Sequence, residues 1–390
     1  MPATAPVLDH VRDLLPSFRE RAAETEVDRC VPAVSVKELA ATGFLRILQA
    51  RRYDGLEGDP LDFYEGIRLI ASADASTGWV ASVLAVHAWQ LALFPDPAQQ
   101  AVYGADPGTL VSSSYAPTGE ATVVDGGYQV SGRWSFSSGC DHAQWVLLGA
   151  LVTDDDGRMV DFRTFLLPRR DYLVEDTWDT VGLAGTGSHD IVVPGAFVPA
   201  DHTLSMTETG RCEGPGQAVN DGDLYKLPFH SLFTSAITTP IIGMAYGAYA
   251  DHVATQRERV RAAYVGERAA EDPFSHVRIA RAASEVDAAW ALLTQNLREL
   301  QACVARGEQI PLALRLKVRR DQVVGTERAI EAIDLMFDSA GARALARSGH
   351  LQRAWRDAHA GRVHAANDPD RALRMYGAAE VGQKIAPGMY

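Results

Sequence analysis

The chain has 390 residues, 47% hydrophobic and 22% charged, with a formal net charge of −13. This composition suits a soluble globular protein of several domains or a multi-part enzyme subunit, and it excludes a disordered chain. The acidic balance argues against nucleic-acid and anionic-membrane partners, and no apolar run approaches the about 20 residues of a bilayer span.

The N-terminus mixes acids with bases and has no continuous apolar run, so it does not read as a signal peptide. Residues 1–108 read as a helical domain. "VLDHVRDLLPSFRERAAETE" has helix-period apolar positions, and "SVKELAATGFLRIL" opens on Ser35 with Glu38 three residues on, the pattern of a capping box. "STGWVASVLAVHAWQLALFP" is apolar on most faces and should be a buried helix closed by Pro95.

Residues 109–222 change texture. "TLVSSSYAP", "ATVVDGGYQVSGRWSFSSG", "QWVLLGALV", "DFRTFLLP" and "HDIVVPGAFVP" are β-rich, with turns expected at Asp125-Gly126-Gly127 and Asp156-Gly157. Residues 202–222 read as a linker or loop. Residues 223–390 return to helix in four long segments, roughly 230–265, 273–306, 311–341 and 349–380, a bundle signature. The four cysteines, Cys30, Cys140, Cys212 and Cys303, lie far apart with no CxxC pair, which predicts reduced thiols and a cytoplasmic location.

"GRWSFSSGCDHAQW" (132–145) carries the densest chemistry. A Ser-His-Asp hydrolase would need a G-x-S-x-G elbow within alternating strand and helix units, and neither is present. A metal site is also disfavoured. His359 and His364 are five residues apart, a rotation of about 140° on a helix, and both H-E-x-x-H and the diiron E-x-x-H pairs are missing. Two readings stay open for the strand end itself: serines capping a packed turn, or hydroxyls and close backbone lining a flat heterocycle.

The chain reads as mainly α, and its order of N-terminal helical domain, central β-barrel or sandwich domain and C-terminal four-helix bundle resembles that of the acyl-CoA dehydrogenase fold. "LQRAWRDAHAGRVHAANDPDRALRMYG" (351–377) resembles the last-helix signature of that superfamily, through Trp355-Arg356-Asp357. Dehydrogenases there often carry a catalytic Glu eight residues past the Asp. Here Ala365, Ala366 and Asn367 follow His364, which counts against dehydrogenation.

Further motifs run the length of the chain: "STGWV" (76–80), "VHAWQLALF" (86–94), "SSSYAP" (112–117), "WSFSSGCDHAQW" (134–145), "VGLAGTGS" (181–188), "IIGMAYGAYADHV" (241–253), "RVRAAY" (259–264) and "RRDQV" (319–323). With them the sequence resembles the oxygenase components of two-component, group D flavin monooxygenases, most of all a branch that hydroxylates secosteroid phenols in bacterial cholesterol degradation. Such a resemblance implies reduced FMN or FAD from a separate NAD(P)H-dependent reductase, O2 as co-substrate, a flavin C4a-hydroperoxide, and ortho-hydroxylation of a phenol. A polyketide or indole substrate, or an acyl-CoA dehydrogenase-type oxidoreductase, is the alternative. A homotetramer is implied, since the family builds its flavin site between subunits.

The resemblance also assigns residues. Ser138 would hydrogen-bond flavin N5, with Ser137, Trp134 and Ser113 beside it. His364 would sit over the reactive flavin edge and His87 would face the phenol, though these two roles could be exchanged. Arg259 and Arg261 would meet the flavin phosphate. Cys140, Asp141 and His142 would be supporting residues.

Overall fold

The computed structural model describes residues 4–154, 156–261, 266–386 and 388–389, with backbone alone at 261 and 267. Five helices come first: α1 (Ala5–Asp28), α2 (Ala33–Ala41), α3 (Pro60–Ala73), α4 (Ala75–Leu91) and α5 (Asp96–Tyr103). The expected capping box at Ser35 does not form. Helix α2 starts two residues earlier, behind Pro32, and its cap makes no side-chain hydrogen bond. Ser35 and Glu38 both take the Arg21 guanidinium instead, at 3.0 and 2.6 Å, so an ion pair with α1 claims the two side chains.

Helix α4 is buried at every residue, as its all-round apolar sequence predicts. Asp74 caps it, accepting from the Thr77 amide at 2.8 Å. Its small residues allow close packing: a Cβ on Gly78 would stand 2.5 Å from the Ala71 Cβ of α3.

The β region is one seven-stranded sheet: β1 (Val111–Val124), β2 (Gly127–Ser137), β3 (Trp145–Thr153), β4 (Met159–Pro168), β5 (Leu173–Glu175), β6 (His189–Pro199) and β7 (Thr203–Ser205). The spatial order is β5-β6-β2-β1-β3-β4-β7, with β1 and β3 parallel and the other pairs antiparallel. Trp134 fills the core of this sheet. It has no exposed surface, and its indole N–H donates to the Gly149 carbonyl at 2.7 Å. Gly119 is required opposite it, because a Cβ there would lie 1.9 Å from the indole Cζ2.

Residues 202–222 are not a bare linker. They supply β7 and the short helix α6 (Met206–Gly210), and Asn220 is buried with its amide on the Ala92 carbonyl and Gln99, both at 2.9 Å. Their polar composition serves specific hydrogen bonds rather than solvation.

The bundle consists of α7 (Phe229–Glu258), α8 (Pro273–Ala305), α9 (Leu312–Ala340), α10 (His350–Arg362) and α11 (Pro369–Glu380). Two of the expected segments are shorter than drawn. Helix α7 stops at Glu258, followed by the two-residue strand β8 (Val260–Arg261), which pairs with β9 (Glu267–Arg268). The run 349–380 splits into α10 and α11. Pro369 has no amide to continue a helix, and Asp368 caps α11 by accepting from the Arg371 amide at 3.2 Å. That split leaves His364 at the head of a single 3-10 turn, Ala365–Asn367.

Asp357 ties α10 to the 181–188 loop. It is buried and accepts from the Leu183 amide at 2.6 Å. Leu183 is held in the left-handed region, φ 53°, and Gly182 lies where a Cβ would meet the Arg356 carbonyl at 2.3 Å. Burial pushes the Asp357 carboxyl up to about 7, the Leu183 hydrogen bond opposes this, and nearby Asp74 adds to it.

Two outcomes follow. Gly119→Ala should cost about 1–3 kcal/mol or more, because overpacking against a fixed indole has no flexible outlet. A thermal melt indistinguishable from wild type would show that the sheet core is not packed in this way. For Asp357 the folded pKa is raised, so its contribution to stability is complete below the unfolded value of 3.8 and is lost as pH rises toward 7. Asp357→Asn keeps an acceptor for Leu183 and carries no charge. Its melting temperature should therefore rise relative to wild type between pH 5 and pH 7.5, by on the order of 2 °C or more, and a pH-independent difference would contradict the buried, raised carboxyl.

Candidate active site

Three segments converge at the end of β2: the Ser138-Gly139 turn, the 183–188 loop and the start of α4. Gly139 adopts φ 71°, and its amide donates to the Thr186 carbonyl at 2.9 Å. A Cβ at this position would lie 3.0 Å from Val80, so glycine lets the turn sit against α4.

Ser138 is partly exposed and sits at one end of a chain of hydroxyls. Its Oγ lies 2.7 Å from Ser188 Oγ, which lies 2.7 Å from Thr186 Oγ1, which donates to the Leu183 carbonyl at 2.8 Å. The Trp79 indole N–H donates to Ser138 Oγ at 3.2 Å. The Trp79 ring meets the His364 ring edge-on, with centroids 5.9 Å apart.

His364 is half-buried and caps its own turn. Its Nδ1 accepts from the Ala366 amide at 3.0 Å, which leaves the proton of the neutral ring on Nε2. Burial, with Arg319 nearby, pushes its pKa down to about 4, so the neutral form holds at ordinary pH. The turn is fixed to the bundle: Arg319 donates to the Ala366 carbonyl at 2.6 Å, and Gln322 donates to Asn367 Oδ1 at 2.8 Å.

His87 lies eight residues beyond Trp79 on α4, about 12 Å along the axis. It is buried, and burial pushes its pKa down to about 4. Its Nδ1 lies 2.7 Å from the Val111 carbonyl and its Nε2 2.8 Å from Ser113 Oγ. A carbonyl only accepts, so Nδ1 carries the proton and Nε2 accepts from Ser113. Aromatic rings stand beside this pair. The Tyr115 centroid is 6.1 Å from His87 and 5.1 Å from Phe233, and Phe229 stacks on Phe233 at 5.6 Å.

The predicted residues separate on this geometry. Ser138 and His364 come together through Trp79, and His87 pairs with Ser113. Ser113, expected on the flavin wall, is hydrogen-bonded to His87. Trp134 and Ser137 are both fully buried and have no surface to offer a cofactor. Period-two alternation put Trp134 on one face of the strand, and that face is the sheet core.

Arg259 lies at the far end of α7, where its guanidinium donates to the Ser339 carbonyl at 3.2 Å. The Arg261 side chain and the remainder of "RVRAAY" (262–264) lie outside the described residues. Cys140 and Cys30 have thiols pushed up to about 12, chiefly by burial, and Cys30 Sγ lies 3.7 Å from His142, in keeping with packing roles. Trp79, Thr186, Ser188 and Tyr115 went unassigned from sequence; their signal was the run of small hydroxyls in "GTGS" and the Trp in "STGWV".

The donor set fits a flavin edge. Ser138 Oγ retains an acceptor lone pair at a partly exposed position. Phe136 is 59% exposed and Val363, beside His364, is 84% exposed, with the Trp178 ring 5.1 Å from Phe136. Such surface is what a flat apolar-faced ligand covers. Ser138, its neighbouring backbone and Trp79 are the groups that would hold it.

Known proteins share this fold. Residues 235–369 match the family model "Acyl-CoA dehydrogenase, C-terminal domain". The chain is 53% identical to the flavin-dependent monooxygenase oxygenase subunit HsaA of Rhodococcus jostii over 96% of this chain and 98% of that protein. It is 36% identical to the FADH2-dependent resorcinol hydroxylase oxygenase component of a Rhizobium species, over 94% and 91% of the two chains. The crystal structure of 3-HSA hydroxylase from Rhodococcus sp. RHA1 superposes with a TM-score of 0.96 at 51% identity, covering 99% of this chain and all of that one. The chain belongs to the flavin-dependent monooxygenase oxygenase subunits, enzymes of acyl-CoA dehydrogenase fold that use reduced flavin to oxygenate aromatic compounds.

Proposed function

We propose that this enzyme hydroxylates a phenol ortho to its hydroxyl, and that Ser113 and His87 remove the phenolic proton. The observation that carries this reading is the polarity of the pair. His87 Nε2 is an unprotonated acceptor, and Ser113 Oγ already donates to it. A phenol O–H that donates to Ser113 Oγ can pass its proton there while the Ser113 proton moves to His87 Nε2. Negative charge then develops on the phenol oxygen and enriches the ortho carbon. His87 is neutral above about pH 4, so this base is available throughout the physiological range. A naphthol presents the same O–H; an indole N–H is a much weaker acid and suits this pair less well.

Bound reduced flavin supplies the electrons that activate O2. Around it, the chain's own residues orient and exclude water. Ser138 faces N5 in this proposal, and the neutral His364 offers its Nε2 proton as a hydrogen-bond donor toward the reacting oxygen. Asn367, in the segment where dehydrogenases place a carboxylate, is locked to Gln322 and to the Gly361 carbonyl at 2.8 Å, which supports oxygenation over acyl thioester dehydrogenation.

The proposal includes a separate flavin reductase, a cytoplasmic location and a homotetramer. Phe136, Val181, Phe274 and Val363 are more than half exposed, as surface awaiting a cofactor or another subunit would be. In such an assembly Arg259 and Arg261 would reach a flavin phosphate from a neighbouring subunit. No helix among the described residues is long and apolar enough to cross a membrane.

His87→Asn and Ser113→Ala should each slow hydroxylation of an ordinary phenol, the former by about 10²–10⁴-fold. A nitrophenol ionised in advance should recover part of that loss. His364→Ala should lower product per O2 consumed whatever the ionisation of the substrate. Product and peroxide measured in the same reaction read both effects; rescue of the His364 variant but not of the His87 variant would exchange the two roles.

A further inference from the structure

We propose that Thr186 and Ser188 are positioning residues that orient the Ser138 hydroxyl as a hydrogen-bond acceptor, and so make the site discriminate between the redox states of flavin. The inference rests on the placement of Ser138 at flavin N5 given above.

A serine or threonine hydroxyl has one proton to donate. The Leu183 carbonyl can only accept, so Thr186 Oγ1 donates to it. Thr186 therefore accepts from Ser188, whose single proton is then engaged. Ser188 in turn accepts from Ser138, whose proton is engaged as well. The Trp79 indole can only donate, and it fills one Ser138 lone pair. What remains on Ser138 is one acceptor position.

Reduced flavin carries N5–H, a donor. Oxidised flavin carries a bare N5, an acceptor. The first matches Ser138 and the second sets two acceptors against each other. The anchor of the chain is rigid. Leu183 is held at φ 53° by Asp357 on its amide, and its carbonyl also receives the Trp178 indole N–H at 2.9 Å. A chain of hydroxyls polarised in one direction strengthens along its length, so the far end determines the near one.

The test is binding, not turnover. Dissociation constants for oxidised FMN and FAD are measured by fluorescence, and for the reduced forms by anaerobic titration. In Ser188→Ala and Thr186→Val the Ser138 proton is released and can turn toward a bare N5. Both variants should bind oxidised flavin about tenfold more tightly than wild type, with reduced-flavin affinity held within about threefold. Thr186→Ser keeps the hydroxyl and should behave as wild type. A merely structural role would weaken both redox forms together, and that result overturns the proposal. Ser138→Ala separates the two levels of the argument. If it changes the ratio of reduced to oxidised affinity while Ser188→Ala and Thr186→Val do not, the relay is wrong and the N5 placement stands. If Ser138→Ala also leaves the ratio unchanged, Ser138 does not meet N5 and both readings fall.

Discussion

A backbone carbonyl can only accept a hydrogen bond and a backbone amide can only donate one, and this constraint sets the polarity of the whole site. Three backbone groups do most of it. The Val111 carbonyl places the His87 proton on Nδ1, the Ala366 amide places the His364 proton on Nε2, and the Leu183 carbonyl orients Thr186, Ser188 and Ser138 in turn. Burial then holds both histidines neutral, so that neither tautomer is lost to protonation at ordinary pH. One histidine presents an acceptor through Ser113 and the other a donor. Two residues of the same type thereby acquire opposite chemistry from their neighbours.

The fold delivers these backbone groups by close packing. Helix α4 is buried on all sides and carries Trp79 and His87 on one rigid rod. Asp357 on α10 clamps Leu183, and the break between α10 and α11 turns His364 toward Trp79. The 3-10 turn Ala365–Asn367 carries no acidic residue, and its Asn367 bonds to Gln322 on α9 and to the Gly361 carbonyl. The scaffold is of acyl-CoA dehydrogenase type, and in the proposed reading the side chains at this turn suit it to oxygen chemistry.

Much of this was legible in the sequence because it depends on pattern and type. All-round apolarity marked α4 as buried and the change of texture near 109 marked the sheet, whereas Ser138, His87 and His364 were singled out only through the family resemblance, since a lone His in an apolar helix reads by itself as core. The failures have physical causes. Ser35 and Glu38 have capping-box spacing, but a tertiary ion pair to Arg21 outcompeted the cap. Trp134 and Phe136 alternate with Ser135 and Ser137 as in a half-buried strand, yet only the paired strands reveal how completely Trp134 is enclosed in the core. Ser113 looked like its neighbours in "SSSYAP", and its partnership with His87 is a contact across 26 residues that no local spacing encodes. The polar tract 202–222 resembled a linker because its buried hydrogen bonds, such as Asn220 to Ala92, are long-range.

The central claim is that backbone groups fix opposite neutral tautomers on His87 and His364. Solid-state NMR of the enzyme with 15N-labelled histidine, assigned through His87→Gln and His364→Gln, tests it directly. At pH 6 the account predicts a protonated Nδ1 with bare Nε2 for His87, and a bare Nδ1 with protonated Nε2 for His364. Doubly protonated rings at that pH, or the reverse pair of tautomers, would contradict it.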